Sequence, residues 1–277
     1  MKNPLGCNTL YPHGRLKDAK GQFNFAAHCQ ALRELADAGF AAVEFSHPEA
    51  LTLDELAAVG KECRALGLTP WSAHCWVAAP ASMAEMAKSQ PGLLDGLDRS
   101  GRLGVQVMVV HAAGSNLDMA KAELRAQRAE ALSASLTQLS RCAATNGLVI
   151  AVENCGPMPD LEFLVQLLGS LSLPNVGFNI DTGHAQVHKL DIPTALRLMG
   201  PRLLTTHLQD NFGQRDDHLP PGLGTIDWKR VFAAFRETGY ARTLMVEISD
   251  CPPGREPEPK REYRQAYENL RRFANDE

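Results

Sequence analysis

The sequence lacks the features of membrane and secreted proteins. No stretch approaches the roughly 18 consecutive apolar residues of a membrane span. The first residues, MKNPLGCNTLYPHG, contain no apolar core followed by a cleavage site, which a secretory signal requires. We therefore expect a protein that is neither exported nor bound to a membrane.

Cysteines are few and widely scattered. The chain has 7 of them, an odd number without any CxxC pair. They are Cys7, Cys29, Cys63, Cys75, Cys142, Cys155 and Cys251. This pattern argues against a disulfide framework and against a thiolate zinc cluster. A reducing, cytoplasmic location fits it best.

The chain has no concentration of positive charge. Its 28 basic and 32 acidic residues are spread along the sequence and give a formal net charge of −4. A nucleic-acid partner would need a basic stripe to neutralise a phosphate backbone. We therefore expect no nucleic-acid partner.

Eight short apolar or β-branched runs alternate with segments of helical periodicity. The runs are LGCNTLY near 5, AAVEF at 41, TPWSAHCW at 69, VQVMVVH at 105, LVIAVEN at 148, NVGFNID at 175, LLTTHLQ at 203 and TLMVEIS at 243. Strands that alternate with helices indicate the α/β class and a parallel sheet. Eight such units predict one closed (β/α)8 TIM barrel, formed by residues 1–277 as a single domain.

The segments between the runs carry helix signals. Thr52 and Glu55 have the spacing of a capping box, and residues 118–146 show the pattern of one long amphipathic helix. Glycines stand between helical segments and the following runs, where a residue that tolerates positive φ ends a helix at little cost. These glycines are Gly39, Gly67, Gly147 and Gly239.

Potential metal ligands recur where the predicted strands end. They are Glu44, His74, His111, Glu153, Asp181, His207 and Glu247 on strands two to eight. Active sites of parallel barrels form at this end of the strands. A single buried histidine or carboxylate can be structural, so the inference depends on the whole set.

The carboxylates in this set require a compensating charge. Glu153, Asp181 and Glu247 in one barrel mouth would repel one another and lose hydration unless a cation or shared protons offset the cost. A divalent metal is the simplest offset. Oxygen and imidazole ligands without thiolates suit Mn²⁺, Zn²⁺, Co²⁺ or Fe²⁺, with Mg²⁺ also open, and no organic cofactor is expected.

Three segments resemble the sugar phosphate isomerase/epimerase superfamily, which includes xylose isomerase-like barrels and endonuclease IV. The segments are VENCG at 152–156, NIDTGHA at 179–185 and THLQDNFGQRDDHLPPGLGTIDW at 206–228. For the epimerase branch, the resemblance implies one metal held by Glu153, Asp181, His207 and Glu247. For the endonuclease IV branch, it implies three zinc ions that additionally use His74, His111, His184, Asp216 and His218.

All nine of these positions are filled, so the motifs leave the branch open. Members that cleave DNA carry basic and aromatic loops, whereas the loop after the second predicted strand, SHPEALTLDE, has no lysine or arginine. This difference, together with the net acidic charge, argues against a role in DNA repair. The resemblance also implies association into dimers or tetramers.

The resemblance and the residues together predict an enzyme that moves a proton next to a carbonyl through an enediolate. Such chemistry needs an acid and a base across the reacting carbon, and Glu153 and Glu247 are the predicted pair. The predicted substrate is a small carbohydrate, a ketose or a sugar phosphate. Candidate substrate contacts are Glu44, Trp76, His184 and Arg215.

Three other functions stay open at this point. A multinuclear zinc site could hydrolyse phosphoesters, and a metal could assist loss of water from a keto-sugar or keto-acid as a dehydratase or lyase. A non-catalytic sugar-binding barrel is the third, although such a module has little use for two glutamates placed for acid and base catalysis.

Overall fold

The computed structural model of the chain describes residues 2–12, 14–16, 25–46, 48–249 and 254–275. The strands in these ranges form one parallel sheet. They are β1 (Leu5–Asn8), β2 (Ala42–Ser46), β3 (Thr69–Ala79), β4 (Val107–Ala112), β5 (Val149–Glu153), β6 (Val176–Asp181), β7 (Leu203–His207) and β8 (Leu244–Val246). Each overlaps one of the eight predicted runs.

The sheet closes into a barrel. Neighbours in the sequence pair in parallel from β1 to β7, and β1 also pairs with β8. Between β7 and β8 the ring closes just beyond the strand end, where the Leu208 N–H donates to the Met245 carbonyl at 2.8 Å. The Glu247 N–H in turn donates to the Leu208 carbonyl at 3.2 Å. The predicted TIM barrel is therefore confirmed.

Helices connect the strands on the outside of the barrel. They are α1 (Phe25–Ala38), α2 (Leu53–Ala65), α3 (Met83–Leu103), α4 (Ala122–Thr145), α5 (Met158–Ser170), α6 (Thr182–Val187), α7 (Ile192–Met199), α8 (Trp228–Thr238) and α9 (Pro259–Asn275), with short 3-10 turns at Pro48–Ala50 and Gly200–Arg202. The predicted capping box is present, because Thr52 and Glu55 bond reciprocally at the start of α2. The predicted helix over 118–146 is α4.

Two hydrophobic regions hold the barrel together. The larger one fills the space between the strands and the surrounding helices. The smaller one lies inside the barrel, and its buried members are Ala42, Trp71, Val107, Val109, Ala151, Leu204 and Met245. Because strand side chains alternate in direction, Val107 and Val109 share a face with His111, and Ala151 shares one with Glu153. An apolar lower layer thus supports a polar layer at the mouth.

Composition also predicted that the chain has no membrane span and no disulfide framework. Within them, no helix is long and apolar enough to cross a membrane. Cys7, Cys29, Cys63, Cys75, Cys142 and Cys155 are free thiols. Cys251 lies outside the described residues.

Candidate metal centre

The ligands predicted at the strand ends converge at the carboxyl mouth of the barrel. Glu44, Glu153, Asp181, His207 and Glu247 are each at most 3% exposed. Glu153 and Asp181 are the last residues of β5 and β6, and His207 is the last of β7. Asp181 lies directly opposite His207 in the register of β6 and β7.

The centre of the cluster is Nδ1 of His207. It lies 2.9 Å from Oε2 of Glu153, 3.1 Å from Oε2 of Glu247 and 4.0 Å from Oδ2 of Asp181. This nitrogen is buried and makes no hydrogen bond, although carboxylate oxygens are so near. The four side chains therefore direct ligand atoms towards a shared space rather than along hydrogen bonds to one another.

The remaining histidines surround the second oxygens of the two glutamates. Oε1 of Glu153 lies 3.2 Å from Nε2 of His111 and 3.1 Å from Nδ1 of His184. Oε1 of Glu247 lies 3.6 Å from Nδ1 of His74. Each glutamate thus has one oxygen towards His207 and the other towards an outer imidazole.

A third group of ligand atoms lies nearer to solvent, in the loop after β7. Asp216 Oδ2 is 3.2 Å from Nε2 of His184 and 3.4 Å from Nε2 of His218. The side chains of His184, Asp216 and His218 are between 18% and 29% exposed. The structure therefore brings all nine predicted ligands into one connected cluster.

Asp181 is held at the start of α6. Its Oδ1 accepts the backbone N–H of His184 at 2.7 Å, so it caps that helix. Gln209 donates Nε2 to both Asp181 oxygens at 3.3 Å and to Asp216 Oδ1 at 2.7 Å. A Cβ atom on Gly183 would overlap the Gln209 amide, so only glycine leaves room for this bridge.

The electrostatics of the cluster show that it needs positive charge. Burial, with the nearby carboxylates of Glu153 and Glu247, raises the pKa of Asp181 from 3.8 to about 7, although His184 opposes this. Burial would also raise the pKa of Glu153, but His207 and His111 hold it well below 4.5. Burial would raise the pKa of Glu247 too, but His207 holds it well below 4.5, so both glutamates stay ionised beside positively charged imidazoles.

The imidazoles carry that positive charge when no ion is bound. Burial disfavours the charged form of His207, yet Glu247, Glu44 and Glu153 outweigh it, so its pKa lies well above 6.5. His184 behaves in the same way, with Asp181 as the main acid that raises its pKa.

The cluster fits a divalent metal. Ligand atoms of Glu153, Asp181 and His207 all lie within 4.8 Å of one another. Nδ1 of His207 and Oε1 of Glu153 are buried without hydrogen bonds, which is costly for polar atoms unless another ligand satisfies them. Carboxylate oxygens with imidazole nitrogens are the donor set of catalytic divalent metals, and no thiol of the described residues enters the central group.

The four residues predicted to contact substrate lie in different environments. His184 is partly exposed at the rim, and Trp76, 53% exposed, stacks on His74 with ring centroids 5.8 Å apart. Arg215 pairs with Asp217 at 2.6 Å and projects into solvent. Glu44 has no exposed surface and contacts Nε2 of His207, and one of its oxygens lies within 4.8 Å of ligand atoms of His74 and Glu247. Its predicted contact with substrate stays a prediction.

Several residues that organise the cluster were not predicted. Asn179 donates to Oε2 of Glu153 at 2.8 Å, and Asn154 accepts the Asp181 N–H at 2.8 Å. The spacing of Asn179 two residues before Asp181 on β6 was a signal, because alternation places both side chains inside the barrel. Gln209 had no such signal, since it follows the end of β7.

Asp210 shapes the loop before α8. Its carboxylate accepts the N–H groups of Gly222 and Ile226 at 2.9 and 3.1 Å and the indole N–H of Trp228 at 2.8 Å. These three hydrogen bonds anchor the loop that contains Asp216 and His218 to Asp210, just beyond the end of β7.

Curated relatives match parts of the chain. The uncharacterized protein y4fM of Sinorhizobium fredii is 36% identical over 87 residues, which is 31% of this chain and 28% of that protein. The inosose isomerase of Bacillus subtilis is 24% identical over 156 residues, 53% of this chain and 55% of that protein. The matches thus span about half the length of these relatives or less.

Solved structures match the whole fold. D-psicose 3-epimerase from Clostridium cellulolyticum H10, crystallised with D-tagatose, superposes with a TM-score of 0.76 at 16% identity and covers 98% of this chain and 99% of that chain. An L-ribulose 3-epimerase gives 0.75 at 18% identity, with 98% and 94% covered. At such identities the likeness shows a shared barrel.

The family comparison extends along most of the sequence and agrees with the resemblance carried by the strand-end motifs. The family described as xylose isomerase-like TIM barrel matches residues 32–273, from α1 to α9. The chain therefore belongs to the xylose isomerase-like TIM barrel family.

Proposed function

We propose that the protein is a divalent-metal-dependent isomerase or epimerase of a small sugar or related polyhydroxy ketone. The observation that carries this proposal is the arrangement around His207. Its buried Nδ1 lies within 2.9 to 4.0 Å of oxygens from Glu153, Glu247 and Asp181. One ion and two glutamates at a single reacting centre suit proton transfer next to a carbonyl.

Glu153, Asp181, His207 and Glu247 would hold the ion. When bound, a divalent metal would polarise the substrate carbonyl and increase the acidity of the neighbouring C–H group. Asp181 and His207 are held in place by residues outside this set of four. Gln209 donates to both Asp181 oxygens, and Glu44 contacts Nε2 of His207. Their role is to maintain the geometry of the site.

Glu153 and Glu247 move the proton. They extend from β5 and from the end of β8, so they approach the centre from separated parts of the rim. One glutamate removes the proton from carbon, and the other returns a proton to the adjacent carbon or to the opposite face. Asn179 donates to Oε2 of Glu153 and thereby orients that carboxylate.

The relatives support this class of reaction. By their names, the inosose isomerase of Bacillus subtilis and the ketose 3-epimerases act on polyhydroxy ketones. Inososes and ketoses are therefore the substrates to test first.

The direct test is exchange with solvent deuterium. Metal-free protein is reloaded with Mn²⁺, Co²⁺ or Zn²⁺ and incubated in D₂O with a panel of ketoses and inososes. Incorporation of deuterium next to the carbonyl, detected by NMR, is the expected result. Binding of a sugar without exchange or turnover would instead indicate a non-catalytic sugar-binding barrel.

Substitution of the two glutamates tests the assignment of the acid and the base. Glu153→Gln and Glu247→Gln should each lower turnover by about 100-fold or more, the usual contribution of general acid or base catalysis. The exposed Glu237→Gln, which only loses a surface pair with Arg197, is the matched control. Retention of activity in both active-site variants would reject this mechanism.

A multinuclear zinc hydrolase of phosphoesters is the second candidate. Beyond the central group, four more sets of ligand atoms each lie within 4.8 Å of one another. They are Glu44, His74, His207 and Glu247; His74, His111 and Glu153; Glu153, Cys155 and His184; and Asp181, His184 and Asp216. Elemental analysis of protein purified without a histidine tag or added metal separates the candidates. About one ion per chain favours the isomerase, and two or three zinc ions direct the next assay to phosphoester hydrolysis. A product lighter by one water would reveal a dehydratase.

A further inference from the structure

We propose that Glu44, supported by Ser72, is a positioning residue that determines which nitrogen of His207 faces the metal. This inference rests on the proposed metal-dependent function. Glu44 lies on β2 and reaches across the barrel interior to His207 on β7. It is a positioning residue because it is fully buried and both of its oxygens lie against Nε2 of His207, whereas Oε2 of Glu153 and Oε2 of Glu247 lie against Nδ1.

The contacts hold the His207 ring at both of its nitrogens. Oε1 and Oε2 of Glu44 each lie 3.0 Å from Nε2. The opposite nitrogen, Nδ1, is the atom that faces Glu153 and Glu247. Ser72 Oγ donates to Oε2 of Glu44 at 2.6 Å and so holds the carboxylate in place from β3.

These contacts determine the tautomer of His207. A neutral imidazole has one nitrogen that donates and one that accepts, whereas a carboxylate accepts only. Glu44 therefore requires the proton on Nε2, and the lone pair of Nδ1 is left for the ion. A carboxylate that accepts the remote N–H of a metal-bound histidine also makes the ligand nitrogen more basic.

Glu44→Gln is the informative variant. The side chain keeps its size, but its amide can donate to Nε2 and thereby stabilise the tautomer with the proton on Nδ1. Loss of such a partner typically weakens metal affinity by about 10- to 100-fold. We expect a rise of that size in the Kd for Mn²⁺ or Zn²⁺, measured by competition with a chromogenic chelator, without a change in the number of ions bound.

Two further variants make the result specific. Ser72→Ala leaves the Glu44 charge in place and should weaken metal binding in the same direction but to a smaller extent, which also provides a test if Glu44→Gln does not fold. Glu34→Gln is the matched control, because Glu34 is a buried glutamate of α1 that bonds Arg15 and Gln30 far from the ligand cluster. Its metal affinity should equal that of the wild type.

The tautomer itself can be observed. In the zinc-loaded protein, ¹⁵N NMR of the imidazoles should show His207 protonated at Nε2, with assignment from the signal lost in His207→Gln. A proton on Nδ1, or unchanged metal affinity in Glu44→Gln, would overturn the inference. Loss of one whole ion per chain would also overturn it, since Glu44 would then be a direct ligand.

The role of Glu44 and the proposed isomerase function can each be rejected without the other. A protein that binds metal through His207 with the expected tautomer but exchanges no sugar proton would reject the isomerase and keep the role of Glu44. Sugar turnover together with normal metal affinity in Glu44→Gln would keep the isomerase and reject the role of Glu44.

Discussion

Asp181→Asn should make the metal-free protein more stable while it abolishes metal binding. Burial raises the pKa of Asp181 from 3.8 to about 7 in the folded chain. A folded pKa above the unfolded one means that stability is lost as the pH rises from the lower value to the higher. At about 1.4 kcal/mol per pH unit, ionised Asp181 costs the metal-free fold about 4 kcal/mol once the pH exceeds 7.

Thermal unfolding of EDTA-treated protein measures this cost. At pH 8 the variant should unfold at a temperature about 8 °C higher than the wild type, since each kcal/mol corresponds to about 2 °C in a chain of this size. At pH 5 the unfolded carboxylate gains less by ionising, and the advantage should shrink to about 2 kcal/mol. Added Mn²⁺ should stabilise the wild type and leave the variant unchanged.

Another buried aspartate provides the control. Asp160 on α5 forms a buried ion pair with Arg128 of α4. Burial raises the pKa of Asp160 as well, but Asp160→Asn leaves the buried Arg128 charge without its partner, so this variant should destabilise the protein by about 3 to 5 kcal/mol. If Asp181→Asn is no more stable than the wild type at pH 8 in EDTA, the view of the cluster as a site short of positive charge is refuted.

Three shorter predictions concern the same cluster. The pKa of His207 is raised in the folded chain, so its contribution to the stability of the metal-free fold is complete below pH 6.5 and is lost as the pH rises through the folded pKa. Metal affinity should rise over the same pH range, because the metal binds only the deprotonated imidazole. A metal affinity that stays constant between about pH 6 and 9 would contradict this. Gly183→Ala displaces Gln209 from its bridge and should raise the metal Kd by about 10-fold, measured by calorimetry. Zinc in excess of one equivalent should inhibit deuterium exchange by occupying Glu153, and His111→Asn should remove that inhibition.

The barrel and the ligand positions were predictable because both follow from periodicity. Eight apolar runs separated by helical segments match the eight strands, and alternation along β5 is enough to place Glu153 inside the barrel. The sequence could not show which of these residues touch each other across the barrel. Glu44 and His207 are 163 positions apart, and their contact depends on the curvature of the closed sheet.

The loops were the least predictable part of the site. Gln209 and Asp210 both follow β7 and carry similar polar side chains, yet one bridges two candidate ligands and the other anchors the loop before α8. Trp228 follows the glycine-rich turn in the sequence, but its indole bonds Asp210 and packs in the core. Local composition does not distinguish these roles, because each depends on contacts made by a loop whose path no periodicity defines.

Whether the site holds one ion or several depends on how Glu153 uses its two oxygens. Its Oε2 faces His207, whereas its Oε1 faces His111 and His184. A carboxylate oxygen that binds a cation takes up a proton far less readily than one that does not. With one central ion, Oε1 keeps that capacity, so Glu153 can act as a base. If an outer ion used Oε1, both oxygens of Glu153 would be ligands, and the chemistry left to the site would be that of a metal-activated water. The number of bound ions therefore selects between the two proposed reactions.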